Sequence, residues 1–194
     1  MHKSDKTKTI LAHSIKKIME KKCLEKITVQ EIVDGCEMIR QTFYNHFIDK
    51  QDLVNWIYKT EVIDVVNDMT FDLKSEEFIK ECFLITLNTM YREKAFYVNA
   101  FKSSGQNSFL HFFGNVTVNN MKIWIEAQAG ERIIKPIDKE FLAKSCALLV
   151  TDVIFEWARS GMQFTPRELI DRLYSFLTTG MFGAINDFSL LTAK

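Results

Sequence analysis

Apolar residues recur at spacings of three and four along nearly the whole chain, the period of helices packed on one side. Between residues 5 and 22, Ile10, Leu11, Ser14, Ile15, Ile18 and Met19 share one stripe with lysines opposite, which predicts an amphipathic first helix. The stretch ITVQEI at 27–32 predicts a sharp start to a second. Thr28 and Glu31 can form a capping box there, and Ile27 and Ile32 a hydrophobic staple. Gly35 and Glu37 keep that helix short. A third short helix is expected over 39–47, and a fourth opens at DKQDL with Asp49 as N-cap and runs to about residue 67.

Longer helices are expected over 75–92, 95–103, 107–129, 138–160 and 166–187, about nine helices in all. Gly161 stops one of them. Thr165, Pro166 and Glu168 start the next as N-cap, first-turn proline and capping-box acid, with a Phe164–Leu169 staple. SSGQNS at 103–108 and GERIIKPID at 130–138 read as loops. Helix 138–160 contains CALLVTDVIFEWA, apolar almost all round, so it is buried on more than one side. That suits either a central core helix or a subunit interface. The next helix carries GMFG, whose Gly180 and Gly183 let another helix approach closely, and this favours a dimer built from these two helices.

The segment 39–47 is two-faced. With Ile39 at about 0°, Phe43 falls at about 40° and Phe47 at about 80°, while Tyr44, Gln41 and Asn45 fall at about 140°, 200° and 240°. The apolar arc is expected to anchor the helix and the polar arc to face outward. Two short helices joined by a turn around residues 36–38, with a longer helix before them, match a helix-turn-helix. In that motif the N-terminal part of the second helix meets base edges in the major groove. Arg40 and Gln41 stand there, and they suit guanine and adenine respectively. Tyr44 suits a phosphate or a thymine methyl, and Lys50 with the first amides of the fourth helix suits a phosphate. The same face also suits the solvated side of an ordinary bundle.

Overall charge is zero, so it selects no partner. Its distribution is uneven: residues 1–59 hold 11 Lys and Arg against 8 Asp and Glu, while the remainder is acidic. That tilt points the N-terminal part toward an anionic partner. Only 2 Pro and 7 Gly occur, in keeping with an all-helical chain. Cys23, Cys36, Cys82 and Cys146 are far apart, and are expected as reduced core or half-buried thiols of a cytoplasmic protein. The polar N-terminus has no signal-peptide pattern, and no apolar run is long enough to span a membrane. Catalysis, a metal site and a cofactor are not expected. GxSxG, HExxH and phosphate-loop motifs are absent, and the four histidines lack metal-ligand spacing.

ITVQEIVDGCEMIRQTFYNHFIDKQDL resembles the DNA-binding domain of TetR-type transcriptional regulators. The shared features are Thr28, Val29 and Ile32, then Thr42, Phe43, Tyr44, His46 and Phe47, then Lys50, Asp52 and Leu53, spread over residues 8–56. RQTFYNHF followed by DKQDLVNWIY is similar to a branch that includes regulators of dihydroxyacetone-kinase genes. The resemblance implies an all-α fold, with a helix-turn-helix domain at 1–50 and a larger sensing and dimerisation bundle at 51–194. It implies a homodimer on double-stranded DNA at a pseudo-palindromic operator, and a small-molecule effector or partner protein that modulates affinity. Carried over, Arg40, Gln41 and Thr42 face bases, and Thr28, Tyr44, His46 and Lys50 meet phosphate. A different reading keeps the fold but has the chain act through a protein partner with weak DNA binding of its own. Two positions depart from the family. Glu37 stands where the turn usually has Gly, and Ile39 where Ser or Thr usually caps the third helix. No effector pocket is assigned. The aromatic residues of the larger part read mainly as core, and His111 as a half-buried histidine.

Overall fold

The computed structural model describes residues 3–69, 72, 74–105 and 107–190. Among them there are helices and no strand. The N-terminal part is built from α1 (Lys3–Met19), a 3-10 turn (Leu24–Lys26), α2 (Val29–Asp34) and α3 (Arg40–Tyr44). α4 (Lys50–Tyr58) follows and runs through a π-helical turn (Lys59–Ile63) into α5 (Asp64–Asn67) as one continuous rod. α6 (Glu76–Arg92), α7 (Lys94–Phe101), α8 (Phe109–Ala129), α9 (Pro136–Arg159) and α10 (Pro166–Leu190) complete the chain. Counting the rod once, this is the all-α architecture of about nine helices that the periodicity predicts. The 3-10 turn and the π turn are additions that the apolar pattern does not reveal.

The starts and stops follow local chemistry. The Thr28 hydroxyl accepts from the Glu31 amide while the Glu31 carboxylate accepts from the Thr28 amide, so the expected capping box is complete. A second box joins Thr165 and Glu168. Asp49 caps α4 by accepting from the Asp52 amide at 2.8 Å. Gly35 has an ordinary helical φ and is needed for another reason. A side chain there would come within 2.5 Å of the Ser14 hydroxyl, which donates to the Ile32 carbonyl where α1 crosses α2.

Leu11, Ile15 and Met19 of α1 form one core with Ile32, Phe43, Phe47 and Leu53. In the larger part, α8 and α9 form the most extensive helix pair. Rings of Tyr58, Tyr97, Phe101, Phe109 and Phe113, in edge-on, tilted and stacked contacts, fill the space where α4, α7 and α8 meet. Polar contacts tie the N-terminal helices to this body. Lys16 of α1 pairs with Glu61 of the π turn at 2.6 Å, and Asn99 donates to the Met19 carbonyl at 2.6 Å.

Three sequence readings need correction. Ile39 is 68 % exposed and takes no part in the α3 anchor. It is the N-cap residue, in extended backbone, so the helical wheel drawn from it does not apply to it. Cys23 is exposed rather than core. His111 is exposed as well, on the outside of α8.

Candidate nucleic-acid interface

The turn before α3 sets the interface. The Met38 amide donates to the Val33 carbonyl at 2.9 Å and the Glu37 amide to Asp34 at 3.4 Å. This is the double closure of a Schellman motif, which requires a left-handed residue at its penultimate position. Glu37 occupies that position at φ 55. The turn therefore keeps the shape that glycine favours while carrying a side chain that does not. Glu37→Gly is expected to relieve a left-handed strain of about 1 kcal/mol and raise the melting temperature by about 2–4 °C. A thermal melt of the full chain measures it, and an unchanged or lower midpoint would show that the strain is absent.

α3 leaves that turn with Phe43 fully buried and Phe47 nearly so, their rings 5.8 Å apart. Arg40, Gln41, Tyr44 and Asn45 are exposed, and Thr42 and His46 are half-buried at the edges. Gln41 Nε2 donates to Asn45 Oδ1 at 2.9 Å, so its amide is held in one orientation along the outer face. No side chain caps the helix at Ile39. Its first amides are left to solvent or to an incoming acceptor.

Lys50 has a different setting from the one that its place at the start of α4 suggests. Its ammonium donates to the carbonyls of Leu24, Glu25 and Ile27 at 2.7, 2.9 and 2.8 Å. An ammonium has three N–H groups, and here all three are occupied. Burial pushes its pKa down, against the pull of Glu25 and Asp49. Thr28 is exposed at the start of α2, its hydroxyl engaged in the capping box. Beside it Glu31 is held at about 2, below its ordinary 4.5, chiefly by its hydrogen bond from Lys22.

Two further surfaces went unassigned or only partly read in the sequence. The first is a cavity of about 190 Å³ between the α4–α5 rod, α6, α8 and α9. Tyr58, Val62, Ile63 and Val66 line it from the rod, and Phe113, Met121 and Trp124 from α8. A rod whose far end is fixed to the interface thus forms one wall of this space. The second surface is a stripe along α9. Ile137, Phe141, Ser145, Leu148 and Asp152 are all exposed and fall within one narrow arc, opposite the buried Ala143, Ala147, Val150 and Ile154. On α10, Arg172, Phe176, Thr179, Gly180 and Gly183 form a comparable exposed stripe.

An outward polar helix behind a helix-turn-helix turn, joined by a rod to a helical body, is the architecture of a helix-turn-helix transcriptional regulator. The comparisons agree. Residues 77–179 match the TetR_C_8 family, described as a transcriptional regulator C-terminal region. The chain belongs to the TetR-type transcriptional regulators. It is 29 % identical over 115 residues to the HTH-type dhaKLM operon transcriptional activator DhaS of Lactococcus lactis. That alignment spans 58 % of this chain and 57 % of the relative. The solved dihydroxyacetone kinase operon activator DhaS superposes over 94 % of this chain and 97 % of its own at TM-score 0.68 and 23 % identity. NalD, the secondary repressor of the MexAB-OprM multidrug efflux pump in Pseudomonas aeruginosa, superposes over 89 % and 96 % at TM-score 0.60 and 12 % identity. These two structures share the fold. No helix among the described residues is long and apolar enough to cross a membrane.

Proposed function

We propose that this regulator works as a cytoplasmic homodimer that places two copies of α3 in successive major grooves of a pseudo-palindromic operator. Residues 1–50 read DNA, and residues 51–194 pair the subunits and sense an effector. The observation that carries this reading is the outer face of α3. Arg40 and Gln41 stand exposed at its N-terminal end, while Phe43 and Phe47 are buried behind them. Arg40 pairs with guanine, and Gln41, oriented by Asn45, with adenine. Thr42 lies at the edge of the same base-facing set. Tyr44 and His46 meet phosphate from α3, and Thr28 abuts the backbone from the start of α2.

Arg40→Ala is expected to cost about 1–3 kcal/mol of specific binding and to relax sequence preference at one operator position. Gel-shift titrations on DNA from the region upstream of the gene, with single-base variants, measure both. An unchanged affinity and base preference would remove α3 from the reading role.

Lys50 is reassigned within this proposal. It binds the 3-10 turn to the start of α4, so that the position of the N-terminal helices follows the rod. Lys50→Ala should lower stability by about 1–3 kcal/mol, since three carbonyls lose a charged donor. The salt dependence of DNA binding should stay the same. A phosphate-contacting lysine would instead flatten the salt slope by about one unit, so salt titration beside a urea melt separates the two roles.

Regulation follows from the rod. A ligand that favours one position of the rod's cavity wall favours one spacing of the two α3 helices, which must sit about 34 Å apart to meet successive grooves. One matched relative is the dhaKLM operon activator DhaS, so activation is included beside repression. A second reading has the chain act through a protein partner with weak DNA affinity of its own. It is supported by the carboxylate of Glu37 and the exposed Ile39 and Ile48 at the two ends of α3.

A further inference from the structure

We propose that the cavity beside the rod takes a neutral, mainly apolar molecule of one substituted ring, carrying a single hydrogen-bond acceptor that meets the indole N–H of Trp124. This deepens the effector reading above and rests on it only for the regulatory consequence.

Four observations define the class. First, among the described residues no Lys, Arg, Asp, Glu or His lines the cavity. A charged ligand would lose its hydration there with no partner to replace it. Second, the polar groups in its interior are largely engaged with one another. Tyr58 shares a hydrogen bond with Thr86, whose hydroxyl donates to the Cys82 carbonyl at 3.1 Å, and Thr117 donates to the Phe113 carbonyl at 2.8 Å. A polyol would find few partners for its hydroxyls. Third, Trp124 lines the cavity, is only 2 % exposed, and its Nε1–H has no acceptor in the protein. Buried indole N–H groups are ordinarily paired; this one has almost no surface open to solvent, so a ligand's acceptor meets it once the indole turns toward the cavity. Fourth, a dry apolar cavity of about 150 Å³ holds a benzene ring. At about 190 Å³ this one has room for a ring with a small substituent. Asn67, Asn120 and Ile123 are exposed and mark the open side through which such a molecule enters.

The ligand would lie against Val62 and Ile63, which belong to the π turn of the rod. Such turns concentrate at functional sites, because the wider helix re-aims the side chains it carries. Glu61 of the same turn holds Lys16 of α1. Occupancy is therefore felt directly by a contact between the rod and the N-terminal helices.

The test is calorimetry on the full chain without DNA, using acetophenone, toluene, benzoate and glycerol. Acetophenone should bind, benzoate should bind at least about tenfold more weakly, and glycerol should give no heat. Trp124→Phe should weaken acetophenone about tenfold and leave toluene within a factor of about two. Val116→Trp, which fills the cavity, should abolish binding while the helical signal and cooperative melt are retained. The proposal is overturned if benzoate or glycerol binds as well as acetophenone, or if neither ring compound binds the folded protein. It is also overturned if Trp124→Phe weakens both ring compounds alike, or if binding survives Val116→Trp. A gel shift with saturating acetophenone is read separately. Binding that leaves the DNA complex unchanged supports the ligand class and overturns the regulatory reading.

Discussion

Leu148→Asp is expected to convert the protein to a monomer and abolish operator binding while leaving each subunit folded. Leu148 is 71 % exposed on the α9 stripe, between Ser145 and Asp152. In a lone subunit an exposed leucine replaced by aspartate changes stability by no more than about 0.5 kcal/mol. In a two-fold dimer built on α9 and α10 the same change buries two unpaired carboxylates at one interface. An uncompensated buried charge costs about 3–5 kcal/mol, so dimer dissociation should rise by a hundredfold or more, roughly, before the second copy is counted. Sedimentation at micromolar concentration gives the subunit number, and a melt confirms the fold. A mutant that still sediments as a dimer would move the interface off this stripe.

Phe43→Ala should detach the reading helix from its support. Phe43 has no exposed surface and touches Phe47 and Tyr44, and Phe47 in turn meets Trp56 of α4 at 5.8 Å. Removing a buried phenylalanine costs about 3–5 kcal/mol. The core it leaves joins α3 to α1, α2 and the start of the rod, and α3 itself is only five residues long, so little else holds it in place. Urea melts followed by circular dichroism should show an early transition from the N-terminal helices, with the body melting later. Operator binding should disappear although the subunits still pair. A single unshifted transition would mean that Phe43 contributes little to the anchor.

The parts legible in the sequence are those whose cause lies within a few residues. The capping boxes at Thr28–Glu31 and Thr165–Glu168 and the cap at Asp49 join groups three positions apart, so the letters alone specify them. The left-handed φ of Glu37 was not legible although its cause is also close by, because no glycine marks it: it follows from hydrogen bonds back to Val33 and Asp34 that close only once α2 has formed. Ile39 shows how far the helical wheel carries. The period places it beside Phe43, but the first residue of the pattern is a cap in extended backbone and points elsewhere.

Lys50 and the cavity lie on the other side of that line. The lysine's partners are carbonyls 23–26 residues away, brought to it by the packing of the 3-10 turn against α4. Backbone acceptors carry no residue-type signature, so nothing in the letters distinguishes a lysine that holds a turn from one that meets a phosphate. The cavity walls come from the rod, α6, α8 and α9, and its aromatic members have the same spacing as the rings that fill the core. Taken alone, the sequence determined the helical class, the helix starts and stops, and the two-faced character of α3, because periodicity and caps are local. Only the tertiary structure decided which lysine is engaged, which isoleucine is exposed, where the rod passes through a π turn and where an empty space remains. Those depend on how distant helices meet, and packing between elements leaves no fixed spacing along the chain.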